Sequence, residues 1–116
     1  MITSTPSPIS EIPLGENVTI IAKVMKISPL NENEPTRVSQ RGKALTGPLD
    51  AVNFYVRDDT GEILCKIGRF KYPQLGKKFL EGAHAGKSLY AIKGWVPRDF
   101  RMIFVDNVRK LGEHEG

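Results

Sequence analysis

A short stretch of the 116-residue chain carries side chains that could stack on nucleic-acid bases and neutralise phosphates. Across 52–67, apolar residues alternate with polar, aromatic and cationic ones, and this period of two predicts two β-strands with one face on a core. The residues between the strands are Asp-Asp-Thr-Gly, which favours a tight turn. The face directed away from the core then carries Asn53, Tyr55, Arg57, Leu64 and Lys66. An aromatic and cationic stripe of this kind indicates a surface that binds a partner.

Further cations and aromatics lie outside this hairpin. Residues 66–101 carry nine lysines and arginines against two acidic residues, so one end of the predicted fold is basic and suits a polyanion. The alternative is a basic surface that is solvated and binds no partner. For Trp95 the sequence also leaves open a position in a partner interface or in the core. The predicted nucleic-acid-binding residues are Lys23, Arg41, Lys43, Tyr55, Arg57, Lys66, Arg69, Lys93, Trp95, Arg98, Phe100 and Arg101.

The sequence gives little support for catalysis. Asp59, Thr60 and Gly61 match the Asp-Thr-Gly triplet of aspartic proteases, but there the aspartate follows an apolar strand and shares a proton with a second aspartate. Here charged residues stand on both sides of the triplet, and the hairpin turn accounts for it. His84 and His114 have no cysteine or carboxylate partners at metal-ligand spacing. We therefore predict no enzymatic activity, no metal and no cofactor.

The overall composition limits the cellular compartments in which we expect the chain. The single cysteine, Cys65, rules out an internal disulfide and lies on the predicted core face, which favours a buried, inert thiol in a reducing compartment. No apolar run approaches eighteen residues, and the N-terminus lacks the pattern of a signal peptide. We expect no membrane span and an intracellular location, in the nucleus of a eukaryote or the cytoplasm or nucleoid of a prokaryote.

The order of the predicted elements indicates an all-β fold. A long strand at 17–28 precedes the hairpin, a short helix falls within 73–85, and two more strands follow at 87–96 and 102–108. The first strand is long enough to bend and serve two halves of a sheet. Five strands with a helix between the third and fourth are the layout of an OB-fold barrel.

The predicted domain boundaries follow from composition. Serine, threonine and proline dominate the start of the chain, so we predict a flexible arm at 1–13 that carries the apolar residues Ile9 and Ile12. The OB-fold domain is predicted over 14–112, with a tail at 113–116. A long loop rich in proline and glycine, 29–50, separates the first two strands; loops of this length are functional or permissive, and both alternatives stay open.

Two stretches resemble the OB-fold nucleic-acid-binding superfamily. F-Y-V-R-D-D-T-G-E-I-L-C-K-I resembles its strand–turn–strand signature, and S-L-Y-A-I-K-G-W-V followed by R-M-I-F-V-D-N-V-R-K-L is similar to its strands four and five, with Gly94 at the strand-four glycine. The resemblance is to the middle subunit of replication protein A, to small telomere-capping OB proteins and to the OB domain of bacterial replicative polymerase α subunits.

The resemblance implies a non-catalytic role. It implies binding of single-stranded nucleic acid, DNA more than RNA, in DNA replication, repair or telomere maintenance, with protein partners in a multi-subunit complex. The alternative that it implies is a protein-interaction subunit. Its apolar anchors would be Ile9, Ile12 and Leu14 of the N-terminal arm and the outward-facing Ile21, Leu64, Leu89 and Trp95.

Overall fold

Alternating apolar residues build five β-strands, which the computed structural model of the protein describes together with one short helix. The described residues are 6–28, 52–68 and 71–113. The strands are β1 (Glu16–Ser28), β2 (Val52–Asp58), β3 (Gly61–Ile67), β4 (Ser88–Val96) and β5 (Met102–Glu113). A 3₁₀ turn, Ile9–Glu11, precedes β1, and a π-helical turn, Tyr72–Gly76, leads into α1 (Lys77–Gly82).

The five strands close into a barrel in the order β1-β2-β3-β5-β4. All neighbouring strands are antiparallel except β3 and β5, which are parallel. The predicted five-stranded barrel with a short helix between the third and fourth strands is therefore confirmed. No helix among the described residues is long and apolar enough to cross a membrane.

One strand joins the two halves of the barrel. The first half of β1, from Glu16 to Lys23, pairs with β4, and the second half, from Lys23 to Ser28, pairs with β2. The register shifts between Val24 and Lys26, which is the bend that the length of the predicted strand required. β1 therefore pairs with both β4 and β2 and serves two halves of one sheet, as expected.

The fifth strand is longer than predicted. It continues to Glu113, beyond the predicted end at 108, because residues 108–113 pair with the start of β4. Glu113 also accepts a hydrogen bond from Lys110 Nζ at 2.8 Å and contacts the His84 ring. Glu113, which the sequence predicts in the C-terminal tail, is therefore the last residue of β5.

An apolar core fills the barrel and is closed at one end by α1. Phe79 of α1 is 1% exposed, and its ring lies 4.3 Å from the Phe54 ring and 5.2 Å from the Tyr90 ring, between centroids. Cys65 is fully buried on β3, and burial raises the pKa of its thiol, so the predicted inert cysteine has a structural basis.

The N-terminal segment packs against the opposite end of the barrel. Ile9 is fully buried and Ile12 is 8% exposed, although the sequence predicts both in a flexible arm. The Ile9 N–H donates to Asp58 Oδ2 at 2.9 Å, and the Ser10 N–H donates to Thr60 Oγ1 at 3.1 Å. The described part of the predicted arm is therefore held by the turn between β2 and β3.

Asp58 is the centre of this attachment, and its removal should destabilise the fold. Its other carboxylate oxygen accepts from Thr60 Oγ1 at 2.5 Å, from the Thr60 N–H at 2.7 Å and from the Gly61 N–H at 3.0 Å. We expect Asp58→Ala to lower the free energy of unfolding by about 2 kcal/mol, since hydrogen bonds to a charged acceptor are lost. Urea unfolding at pH 7 measures it, with Asp59→Ala in the same turn as the control that should change little.

The pH dependence of this effect gives a second readout. Partial burial raises the pKa of Asp58, but the hydrogen bonds from Thr60, Ile9 and Gly61 together lower it below its ordinary value of 3.8. The carboxylate therefore stabilises the fold fully above that ordinary value, and this contribution is lost as the pH falls through the folded pKa. The difference between wild type and Asp58→Ala should shrink in acid; a difference that stays constant down to pH 2 would contradict the assignment.

Candidate nucleic-acid interface

Cross-strand register links five side chains, one from each strand, into a row that winds around the outside of the barrel. Asn53 of β2 pairs with Lys66 of β3, Lys66 with Phe104 of β5, Phe104 with Trp95 of β4, and Trp95 with Asn17 of β1. Directly paired residues on one face have Cβ atoms about 5 Å apart, so these side chains are immediate neighbours. We call this set the aromatic row.

A second row lies beside the part of the first row that β2, β3 and β5 carry. Lys26 of β1 pairs with Tyr55 of β2, Tyr55 with Leu64 of β3, and Leu64 with Met102 of β5. On β2, β3 and β5 these residues are two positions along the strand from members of the aromatic row, so they project to the same side. The residues of the two rows on β2, β3 and β5, together with Trp95 on the neighbouring strand β4, form the candidate surface for a ligand and are called the binding face below.

Three aromatic side chains of the binding face are exposed. Trp95 and Phe104 are each 41% exposed and Tyr55 is 38% exposed. The exposure of Trp95 excludes a position in the core, which is one of the alternatives that the sequence leaves open for this residue. Aromatic rings left in water on the outer surface of the barrel offer platforms for planar ligands.

Phe104 and Met102 were missed by the sequence analysis. Their signal is present in the alternation along β5, where Ile103 and Val105 are buried and the residues between them point outward. The alternation alone does not show that Phe104 lies beside Trp95. That depends on the register of the β4–β5 hairpin, and the position of Phe104 beside Lys66 depends on the long-range pairing of β5 with β3.

Two of the predicted cations, Lys23 and Arg57, lie at one edge of the binding face. Arg57 follows Tyr55 on the same side of β2 and forms an exposed ion pair with Glu62, with Nη2 and Oε2 3.4 Å apart. Exposed pairs of this kind contribute little to stability, so the guanidinium can exchange its carboxylate for a phosphate. Lys23 is half-buried on β1 directly opposite Arg57.

Lys93 extends the cationic surface along β4. It precedes Trp95 by two residues on the same side of the strand and is exposed. Lys66 stands inside the aromatic row itself, between Asn53 and Phe104. The binding face therefore has a cation within its aromatic cluster and another beside it.

Three of the predicted nucleic-acid-binding residues lie in or beside the turn between β4 and β5, and their surroundings differ. Phe100 is 67% exposed, while the Arg98 side chain lies against the backbone at Gly15. Arg101 is exposed, and its guanidinium donates to the Ile9 carbonyl, which helps to hold the N-terminal segment in place. Its predicted phosphate contact stays a prediction. Arg41, Lys43 and Arg69 lie outside the described residues.

A cleft of about 590 Å³ lies on another part of the surface, between α1 and β5. Leu75, Phe79 and Val108 line it, and two of its three lysines, Lys71 and Lys110, form ion pairs with acidic residues. Lys71 Nζ lies 2.5 Å from Asp106 Oδ1, and Lys110 bonds Glu113. Within the described ranges, no group of three or more histidine, cysteine, aspartate or glutamate residues could hold a metal ion.

The barrel order and the helix between β3 and β4 define the OB fold. Two solved structures of replication protein A from Methanococcus maripaludis share this fold. A crystal structure of one domain matches with a TM-score of 0.61 and 18% identity, over 93% of this chain and 97% of that chain. A solution NMR structure of the second OB-fold domain matches with a TM-score of 0.63 and 18% identity, over 97% of this chain and 100% of that chain. No family model and no curated protein sequence matches the chain.

Proposed function

We propose that the chain binds single-stranded nucleic acid, DNA more than RNA, through the binding face and without catalysis. The observation that carries the proposal is the contiguous set of exposed rings, Tyr55, Phe104 and Trp95, with Lys66 among them. A base stacked on an aromatic ring contributes roughly 1–3 kcal/mol, and every base can stack. Binding should therefore tolerate many sequences.

The position of this face on the fold supports the proposal. OB folds bind oligonucleotides and oligosaccharides on the face of strands two and three and on neighbouring loops. Tyr55 of β2 and Lys66 of β3 lie on that face, and Phe104 and Trp95 extend it across β5 and β4. The solved structures that share the fold are domains of replication protein A, which supports a role in DNA replication, repair or telomere maintenance.

Direct titration tests the proposal. Fluorescence anisotropy with labelled oligothymidine at low and moderate salt should show saturable binding that weakens as salt rises, because each phosphate contact releases counterions. Trp95 is the only tryptophan, so a base stacked on it should also quench the intrinsic fluorescence of the protein. Absence of binding at tens of micromolar protein in low salt would refute the proposal.

The salt dependence should identify the cations that contact phosphate. We expect Arg57→Ala combined with Lys66→Ala to reduce the slope of log affinity against log salt by about 1.4, since each contact with a single strand contributes about 0.7. Lys77→Ala combined with Lys78→Ala removes the same charge from α1, away from the binding face, and should leave the slope unchanged. Equal effects from both pairs would point to unspecific attraction.

A protein-interaction subunit is the second candidate, favoured by the apolar character of the same face. Leu64 and Met102 lie beside the exposed rings, and interface cores use such aromatic and aliphatic anchors. Ile9 and Ile12 are buried and drop out of the predicted apolar anchors, whereas Leu14 is 51% exposed. Under this reading, Trp95→Ala would disrupt a stable complex, while Arg57→Ala and Lys66→Ala would have little effect. Size-exclusion chromatography gives a first comparison, since a hydrophobic patch drives association.

A further inference from the structure

The cleft between α1 and β5 is an elongated groove, which we call the α1 groove. The residues that line its helical wall recur at a spacing of three or four and so share one face of the helical segment: Lys71, Gln74, Leu75, Lys78, Phe79 and Gly82. Its other wall is β5 from Asp106 to Lys110, which extends about 13 Å at about 3.3 Å per residue. This length suits about four residues of an extended peptide or about two turns of a helix.

Lysines join the two walls of the α1 groove at both ends. Lys71 Nζ lies 2.5 Å from Asp106 Oδ1 at one end, and Lys110 Nζ donates to the Gly82 carbonyl at 2.7 Å at the other. Lys78 lies between them on the helical wall, is exposed, and forms no ion pair with the residues that the structure describes. The groove thus has a cation at each end and one between, against one carboxylate in its described lining.

The α1 groove and the binding face lie on different sides of β5. Val108 pairs with Ile92, which is fully buried, so Val108 lies on the core side of the strand. Phe104 pairs with the exposed Trp95 on the outer side. The register shift between β4 and β5 accounts for this change of side. Among the described residues none belongs to both surfaces, so one ligand does not exclude the other.

The lining of the groove suits a peptide better than a nucleic acid. Leu75 and Val108 are half-buried, so their aliphatic side chains can pack against an apolar side chain of a partner. Phe79 and Tyr90 are 1% and 3% exposed, so neither ring offers a face on which a base could stack. The exposed ion pair of Lys71 contributes little to stability, so this lysine can exchange its carboxylate for one of a ligand.

We propose that the α1 groove binds an acidic peptide segment of a partner protein, in which carboxylates flank an apolar side chain. The apolar side chain packs between Leu75 and Val108, and the carboxylates lie against the lysines, so that charge and shape are both complementary. The site is separate from the binding face. The chain can therefore hold nucleic acid and a protein partner together, and the inference does not depend on the proposed function.

Selection from a phage-displayed library of random twelve-residue peptides tests the inference. The immobilised full-length chain should enrich acidic peptides with an apolar residue between the carboxylates. The most enriched peptide, labelled with fluorescein, is then titrated by fluorescence anisotropy. We expect Lys78→Glu to weaken its binding by about tenfold or more, because attraction becomes repulsion. Val108→Ala removes apolar contact area and should weaken binding by about fivefold.

Lys77→Glu is the matched control for the charge reversal. Lys77 is exposed on α1 outside the groove lining, so this variant has the same net charge as Lys78→Glu. At moderate salt, where charges more than about 10 Å apart are largely screened, it should change the affinity by less than about twofold. Urea unfolding checks that all three variants are folded.

Competition with oligothymidine separates the groove from the binding face. A saturating amount of oligothymidine at the same salt should leave the peptide bound with nearly unchanged affinity. The inference is overturned if no peptide is enriched, if the enriched peptides lack acidic residues, or if Lys78→Glu and Lys77→Glu weaken binding equally. Displacement of the peptide by oligothymidine would overturn it too, since the groove would then belong to a path for nucleic acid.

Discussion

Trp95→Ala and Phe104→Ala should each weaken oligothymidine binding by about tenfold, and the double variant by about a hundredfold or more. Both rings are 41% exposed and are direct cross-strand partners, so together they form the largest platform on the binding face. A base stacked on an aromatic ring contributes roughly 1–3 kcal/mol, and a loss of 1.4 kcal/mol corresponds to a factor of ten. Anisotropy titration at low salt measures the change.

The fold should survive both substitutions. Exposed side chains outside the core usually change the free energy of unfolding by about 0.5 kcal/mol or less, and urea unfolding checks this. Ile21→Ala is the matched control, since Ile21 is a large apolar side chain on β1, 40% exposed, outside the two rows. In Phe104→Ala, Trp95 remains as a fluorescent reporter of residual stacking. Unchanged affinity in the double variant would show that bases do not stack on this face.

The alternation in the sequence predicts which side chains of each strand face the core and which face outward. Burial of one face imposes a period of two, and Tyr55 and Lys66 accordingly lie on the outward face of the hairpin. The turn between these strands is equally local, because Asp58 bonds the N–H groups of Thr60 and Gly61. Features of this kind depend on neighbours in the chain, so one sequence is enough to infer them.

The composition of the binding face depends on long-range pairing, which the pattern does not contain. Phe104 lies beside Lys66 because β5 is parallel to β3, a strand far from it in the chain. The contact of the Arg101 guanidinium with the Ile9 carbonyl is long-range as well, since it joins residues 92 positions apart. Neither relationship follows from the spacing of residues along the chain.

The close approach of β4 and β5 at Gly94 should make Gly94→Ala strongly destabilising. A Cβ built on Gly94 would lie 2.2 Å from the Phe104 carbonyl oxygen and 2.7 Å from Ile103 Cγ2. The nearest atom belongs to the backbone, so it cannot rotate away as a flexible side chain would. The register between the two strands also shifts between Lys93 and Gly94, which places this contact at a β-bulge.

We expect Gly94→Ala to lower the free energy of unfolding by about 3 kcal/mol, at the upper end of overpacking costs. For a domain of this size that corresponds to a fall in Tm of about 10 °C. The strands must separate locally to admit the methyl group, and the next pair along them is Trp95 with Phe104. Nucleic-acid affinity should therefore fall in the protein that remains folded, even though Gly94 itself is buried.

Gly68→Ala provides the matched control. A Cβ at Gly68 would meet nothing within 4 Å, so the same added methyl group should leave stability and affinity nearly unchanged. Urea unfolding and thermal melting of both variants measure the first effect, and anisotropy with oligothymidine at a temperature well below either Tm measures the second. If Gly94→Ala were as stable as Gly68→Ala, the close approach of β4 and β5 at Gly94 would be contradicted. If it were unstable but bound oligothymidine with full affinity, the Trp95–Phe104 pair would not depend on that contact.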